Sequence, residues 1–255
     1  MHDIPYLNGK VYFASDLHLG TPDHATSLQR EKKFVHWLEM IKKDAAALFI
    51  VGDLFDFWFE YRQVVPRGFV RVLGKLAELR DSGLPVYFFT GNHDQWMKDY
   101  FQEELNISVY KQPLRINISG KKFFIAHGDG LGPGDHGYKF LKSIFRGRFT
   151  RWLFGRLHPN LGIWLGKRWS GNNNLINGKD EATFLGEDKE WLIQYAREVI
   201  KSEHIDYFIF GHRHIVLDYK LSESSTFINL GDWVRYNSYA IFDGKNLELK
   251  YFTMD

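Results

Sequence analysis

The sequence predicts a layered α/β fold, and three observations predict it. Short apolar runs recur along the 255 residues, helix-length amphipathic stretches separate the early ones, and glycine with polar residues succeeds nearly every run. The runs lie at 11–14, 47–51, 85–90, 123–126, 207–210 and 227–230, each mostly apolar, as in strands covered on both faces. Over 27–43, Leu28, Phe34, Trp37, Leu38 and Ile41 fall roughly on one helical face, while Arg30, Lys33 and Lys42 take the other. The stretch 69–80 repeats that pattern with Phe69, Val72, Leu73 and Leu76, and Ser82-Gly83 supplies its stop. Residues 181–201 form a third helix candidate. The segments 239–242 and 247–252, on either side of Asp243-Gly244-Lys245-Asn246, read as a β-hairpin. No internal repeat or low-complexity tract interrupts the series, and residues 1–255 are expected to form one domain.

Hydrophobic residues make up 44% of the chain and charged residues 25%, the balance of a globular rather than a disordered protein. No apolar run approaches the roughly 18 residues that a membrane-spanning helix needs. The opening Met1-His2-Asp3-Ile4-Pro5 lacks the basic-then-apolar layout of a secretory signal, so a cytoplasmic location is expected. There is no cysteine, which excludes disulfides, thiolate catalysis and Cys-type zinc sites. Any metal must be held by His, Asp, Glu or Asn, and 11 histidines and 31 acidic residues are present.

The net charge of +2 conceals an asymmetry. Residues 131–170 hold Lys139, Lys142, Arg146, Arg148, Arg151, Arg156, Lys167 and Arg168 against Asp135 alone, a local +7 that leaves −5 for the rest. The same window holds eight aromatic residues: Tyr138, Phe140, Phe145, Phe149, Trp152, Phe154, Trp164 and Trp169. Gly132-Pro133-Gly134 and Gly171-Asn172-Asn173-Asn174 bracket it like hinges. Leu141, Ile144, Phe145, Phe149, Trp152 and Leu153 share one helical face, with Lys139, Lys142 and Arg146 on another. A helix merely packed on the body gives no reason to interleave aromatics with uncompensated charge. An apolar surface rimmed by Lys and Arg suits an anionic amphiphile or an anionic membrane surface.

The chemistry lies at the carboxyl ends of the predicted strands. The first run ends in Asp16-Leu17-His18, the second in Gly52-Asp53, and the third in Gly91-Asn92-His93-Asp94. The fourth ends in His127-Gly128-Asp129 and the fifth in Gly211-His212-Arg213-His214. In layered α/β sheets the loops at such strand ends gather along one edge, so these residues can converge. Singly they are common loop sequences. Together they offer only nitrogen and oxygen donors, a set suited to borderline divalent ions. Two such ions can share a carboxylate, activate a water and neutralise a phosphoryl group. His24, His36, His136, His158 and His204 match no ligand spacing.

This ordered series resembles that of the calcineurin-like metallophosphoesterases, over roughly residues 11–230. The resemblance implies an αββα sandwich with an inserted helical cap at 131–178. It implies that Asp16, His18, Asp53 and His214 bind one divalent metal ion, and Asp53, Asn92, His127 and His212 a second, with Asp53 bridging. The four-histidine donor set makes Mn²⁺ the expected metal. His93 would face the substrate phosphate as electrostatic stabiliser or general acid, with Asp56 either orienting it or capping the adjacent turn.

Within that superfamily the layout is similar to the UDP-2,3-diacylglucosamine pyrophosphatases of lipid A synthesis. The likeness rests on residues 16–20 (Asp-Leu-His-Leu-Gly), Gly52-Asp53-Leu54-Phe55-Asp56, and His127-Gly128-Asp129 with Asp135 beyond it. It implies hydrolysis of UDP-2,3-diacylglucosamine to UMP and 2,3-diacylglucosamine 1-phosphate, with the cap gripping the acyl chains. It further implies peripheral attachment at the cytoplasmic face of the inner membrane, with no obligate protein partner. Asn92, His93, Asp135, Lys167, Ser170, Asn174 and His212 are the expected substrate contacts. The best-known branch has Arg after the motif Asn; this chain has His93, as do the wider superfamily and a second branch. Two other readings are a nuclease or soluble phosphodiesterase that grips phosphates with the basic segment, and a metal-dead scaffold. The unbroken ligand set disfavours the scaffold.

Overall fold

The computed structural model describes residues 2–4, 8–132, 147–172, 183–184 and 186–254. The first half runs β1 (His2–Ile4), β2 (Lys10–Ala14), α1 (His24–Ile41), β3 (Ala45–Val51), α2 (Val70–Asp81) and β4 (Val86–Phe89). Next come α3 (Tyr100–Leu105), β5 (Ser108–Tyr110), β6 (Leu114–Ile118) and β7 (Lys121–Ile125). Helices α4 (Arg148–Phe154), α5 (Pro159–Asn172) and α6 (Trp191–Ile200) come after them. The chain closes with β8 (Tyr207–Phe210), β9 (Val216–Lys220), β10 (Thr226–Leu230), β11 (Ser238–Phe242) and β12 (Leu247–Tyr251).

The strands form two six-stranded sheets, ordered β12-β11-β2-β3-β4-β5 and β1-β6-β7-β8-β10-β9. β2, β3, β4 and β5 pair in parallel, as do β7, β8 and β10, so the strand ends that carry the polar residues point along one direction within each sheet. The period-2 alternation of a strand sorts the side chains into layers. In β2 and β3, Val11, Phe13, Ala47, Phe49 and Val51 face the other sheet, whereas Tyr12, Ala14, Leu48 and Ile50 face α1, α2 and α3. In β7 and β8, Phe123, Ile125 and Ile209 face inward, while Phe124, Phe208 and Phe210 pack under α6. The layers are therefore helix, sheet, sheet, helix, the αββα sandwich the sequence led us to expect. Phe13 of one sheet stacks on Phe123 of the other at 5.9 Å between ring centroids.

Capping explains where the helices begin. Asp23 accepts a hydrogen bond from Thr26 N at 2.9 Å, which starts α1 three residues before the apolar periodicity does. α2 has no cap of its own, because Phe69 before it is left-handed (φ 61°). The buried Glu31 of α1 accepts from Arg71 N and Val72 N instead, at 2.9 and 3.1 Å. The expected helix over 181–201 is shorter than predicted: among the described residues it starts at Trp191. Gly186 has φ 97° and Glu190 is extended, its carboxylate drawn to Arg213 in a buried bidentate pair at 2.9 Å. β1, β5, β9 and α3 are too short or too mixed in pattern to stand out in the sequence. β6, by contrast, carries a plain alternation in Leu114, Ile116 and Ile118.

Of the expected cap at 131–178, residues 133–146 and 173–178 lie outside the described set, among them Asp135, Phe145 and Asn174. Helices α4 and α5 lie over the loop after β3. Phe154 packs on Phe59 and Trp96 at 4.7 and 4.8 Å between ring centroids. Phe149, Trp152 and Trp164 stay 70%, 54% and 55% exposed, so this aromatic face is not core.

The inner layer should carry much of the stability. Phe49 is fully buried between Phe13 and Tyr87, at 5.1 and 4.5 Å between ring centroids. Phe49→Ala is expected to lower the unfolding free energy by about 3–5 kcal/mol, read from chemical denaturation.

Candidate active site

Three strands from each sheet deliver the polar residues. β2, β3 and β4 end at Asp16/His18, Asp53 and Asn92/His93; β7, β8 and β10 end at His127, His212/His214 and Asp232. Five of these residues hold left-handed backbone: Asp16 (φ 55°), His18 (45°), Asp53 (52°), His212 (69°) and His214 (50°). Each such residue costs about 1–3 kcal/mol and persists only where neighbours fix it. Here the loops fix one another. Asp16 N donates to Gly52 O, His18 N to Asp53 O, Gly211 N to His127 O and Trp233 N to Asp16 O, all at 3.0–3.1 Å. The approach is so close that a Cβ at Gly91 would land on the Asp53 carboxylate, and one at Gly211 on that of Asp16.

Two overlapping donor groups result. In the first, His18 Nε2 lies 3.2 Å from His214 Nε2, 3.7 Å from Asp16 Oδ1 and 3.8 Å from Asp53 Oδ2. In the second, His127 Nε2 lies 3.2 Å from both Asp53 Oδ2 and Asn92 Oδ1, and His212 Nδ1 is 3.0 Å from Asn92 Oδ1. Bonds of about 2.1 Å to one cation hold neighbouring donors about 3.0–3.4 Å apart. Asp53 Oδ2 belongs to both groups. Asp16, His18, Asp53, His127 and His214 are all buried.

His93 stands beside the donors. Its ring lies edge-on to that of His18, with centroids 4.7 Å apart, and the His93 backbone N–H donates to Asp53 Oδ1 at 2.9 Å. Nδ1 is 2.9 Å from both the Asp56 carbonyl and the Ser170 hydroxyl, whereas Nε2 is buried with no hydrogen-bond partner among the described residues. Of the two roles open to Asp56, the orienting contact to His93 comes from its backbone: Oδ1 is 3.6 Å from His93 Nδ1 and 3.8 Å from His18 Nδ1, and the Asp56 carbonyl makes the hydrogen bond. Lys167 is exposed on α5, while Asp135 and Asn174 lie outside the described residues.

Three positioning residues went unassigned in the sequence. Asp94 accepts from Leu54 N and Gly91 N at 2.9 and 2.7 Å, lacing the second strand-end loop to the third. Asp232 Oδ2 lies 3.4 Å from His214 Nδ1, where a carboxylate can orient that imidazole from behind. Its signal was legible, because Leu230-Gly231-Asp232 repeats the form of Val51-Gly52-Asp53 after the sixth run. Arg30 reaches from α1 to the carbonyls of Leu17 and His18 at 2.9 and 2.8 Å, and nothing in the sequence distinguishes it from a helix-surface Arg.

Residues 9–216 match the family model described as calcineurin-like phosphoesterase. The chain belongs to that family. It is 41% identical to a UDP-2,3-diacylglucosamine hydrolase of Porphyromonas gingivalis (strain ATCC BAA-308 / W83), over 96% of this chain and 98% of that one. A UDP-2,3-diacylglucosamine hydrolase of Aeromonas salmonicida (strain A449) is 28% identical over 90% of this chain and 88% of its own. A dimetal phosphatase from Danio rerio superposes with a TM-score of 0.47 at 12% identity, covering 96% of each chain.

The donor clusters of this calcineurin-like phosphoesterase fit a dinuclear divalent metal site. Their protonation shows what a cation must displace. Burial pushes the Asp16 carboxyl up, but the His18 hydrogen bond and the nearby imidazoles outweigh it and hold it at about 2. Asp53 lies well below the carboxylate range despite its burial, held there chiefly by the charge of His127. Burial pulls His127 down, yet Asp53 wins and raises it to about 10. His212 is lowered to about 4 by burial and by the charge of His127, so it is already neutral.

A cation at Asp53 and His127 therefore displaces the His127 proton. Because that pKa is raised, the proton is held throughout pH 6–9. Metal affinity should rise by about tenfold per pH unit across that window, with one proton released per ion bound at that position. Calorimetry in buffers of different ionisation enthalpy measures both.

Proposed function

We propose that the protein hydrolyses the pyrophosphate of UDP-2,3-diacylglucosamine, releasing UMP and 2,3-diacylglucosamine 1-phosphate. The observation that carries this reading is the full-length likeness, at 41% identity, to a relative named for that substrate. The donor clusters supply the reactive half of the site, and the exposed aromatic and basic surface of α4 and α5 supports the acyl half.

In this reading Asp16, His18, Asp53 and His214 hold one Mn²⁺ ion, and Asp53, Asn92, His127 and His212 hold the other. Two bound ions supply Lewis-acid stabilisation of the phosphoryl oxygens and activation of a water. The chain's own residues do the rest. Asp53, whose carboxylate lies against both His127 and His18, would serve both positions. His93 turns its unpartnered Nε2 toward the phosphoryl group, where it stabilises charge or donates a proton to the leaving phosphate. Asp94 and Asp232 hold the surrounding loops and the His214 ring in place.

The surface of residues 131–178 serves as a cap that receives the acyl chains and rests on the cytoplasmic face of the inner membrane. Arg156 lies over the Trp152 ring and Arg168 over Trp164, at 4.9 and 5.8 Å to the centroids, so charge and aromatic area share one exposed face. Among the described residues no helix is long and apolar enough to cross a membrane. Attachment would be reversible: each Lys or Arg near an anionic leaflet contributes about 1 kcal/mol, and each buried methylene about 0.8 kcal/mol.

The deciding experiment offers purified, Mn²⁺-loaded protein UDP-2,3-diacylglucosamine, bis-p-nitrophenyl phosphate and single-stranded DNA. UMP should appear from the first, and activity should vanish in excess chelator and return better with Mn²⁺ than with Mg²⁺. Cleavage of DNA alone, falling steeply with salt, would replace this reading with a nuclease. Asp53→Ala should empty both metal positions, whereas His93→Ala should keep both ions and lose about 10²–10⁴-fold in kcat, read by metal analysis and turnover. Exchange of Phe149, Trp152 and Trp164 for Ser should raise KM severalfold for the lipid substrate. Hydrolysis of the small diester should stay nearly unchanged.

A further inference from the structure

Helix α5 has two unlike faces. Leu161, Trp164 and Leu165 are exposed on one. Gly162, Gly166 and Ser170 recur every four residues on the other, the spacing of one helical stripe, and all three are buried. The two glycines seat this face directly on the loop after β3. A Cβ at Gly162 would meet the Tyr61 hydroxyl, and one at Gly166 would fall on the Phe57 ring. Close seating carries the last member of the stripe into the active site. The Ser170 hydroxyl, 7% exposed, lies 2.9 Å from His93 Nδ1 across 77 positions of sequence.

The partners at Nδ1 define the ring state. The Asp56 carbonyl, also 2.9 Å away, can only accept, so Nδ1 carries a hydrogen. The Ser170 oxygen lies on that same hydrogen as a second acceptor. Between them the two oxygens fix the ring's rotation and leave Nε2 as the atom turned to the reacting group, where it is buried without a partner.

We propose that Ser170 is a positioning residue: the seated face of α5 brings its hydroxyl onto His93 and thereby makes turnover depend on the cap helix. Resting on the hydrolase reading above, this assigns Ser170 to the alignment of His93 rather than to the substrate contact expected from resemblance. Helix α5 then serves two ends at once, with an outer face for the acyl substrate and an inner face that sets the acid–base side chain.

The test is a cycle of variants in the metal-loaded enzyme, assayed on both UDP-2,3-diacylglucosamine and bis-p-nitrophenyl phosphate, with metal content and circular dichroism confirming the fold. Ser170→Ala should lower kcat about tenfold on both substrates and leave KM for the lipid within about twofold. Ser170→Thr, which keeps the hydroxyl, should recover most of the loss. In a His93→Ala background Ser170→Ala should have no further effect, because the group it positions is gone. Gly166→Ala, which lifts α5 from Phe57, should reproduce the kcat loss with Ser170 intact. The proposal is overturned if Ser170→Ala changes only KM for the lipid, if Thr fails to rescue, or if the loss persists without His93. Absence of any turnover of the lipid substrate would sink the proposed function, while the small diester would still report on Ser170.

Discussion

The Asp53 carboxylate is the point on which the site is built. Oδ1 takes the His93 amide, and Oδ2 stands between His127 and His18, so one side chain touches both donor groups and the substrate-facing loop. It holds this place with left-handed backbone and with a glycine neighbour whose missing Cβ leaves it room. The surrounding acids and imidazoles are buried at a density that is tolerable only because opposite charges or cations compensate them. In the bare protein a proton on His127 performs that compensation. Affinity for divalent ions and the strain at the strand ends are thus two aspects of one arrangement.

That arrangement needs an unyielding floor. The two sheets meet through aromatic residues, Phe13, Phe49 and Phe123 among them, whose stacking fixes how the strands of one sheet lie over those of the other. Donors from β2, β3 and β4 meet donors from β7 and β8 only at that registration. Packed interiors have little room to adjust, so a shift of the inner layer would move half of the donors together. The helices act at second hand. Arg30 of α1 pins the carbonyls around His18, and Glu190 before α6 pins Arg213 between His212 and His214.

Much of the fold was legible. Six strands, the first two helices and the closing hairpin can be read from periodicity, because burial on both faces or on one stripe leaves its mark on consecutive residues. The helix expected to begin at 181 shows the limit: its residues allowed helix, but Gly186 and the pull of Arg213 on Glu190 hold its described start back to Trp191. Short edge strands such as β1 and β5 escaped because three residues each are too few to show a periodic pattern. Asp232 could have been found from its Gly-Asp form; Arg30 could not, because its partners are backbone carbonyls, which no sequence pattern marks.

The sequence by itself determined which donors exist and where along the chain they stand. A ligand must come directly after a strand to reach the sheet edge, and a glycine must precede it where the backbones crowd, so both demands are written locally. Tertiary structure alone decided which donors come together and which atom of His93 faces away from its backbone partner. His18 and His214 are 196 positions apart, and Ser170 and His93 are 77 apart. Distances of 3 Å between such residues are set by the packing of one sheet on the other and by a helix seated on two glycines. Local sequence has no means of recording either.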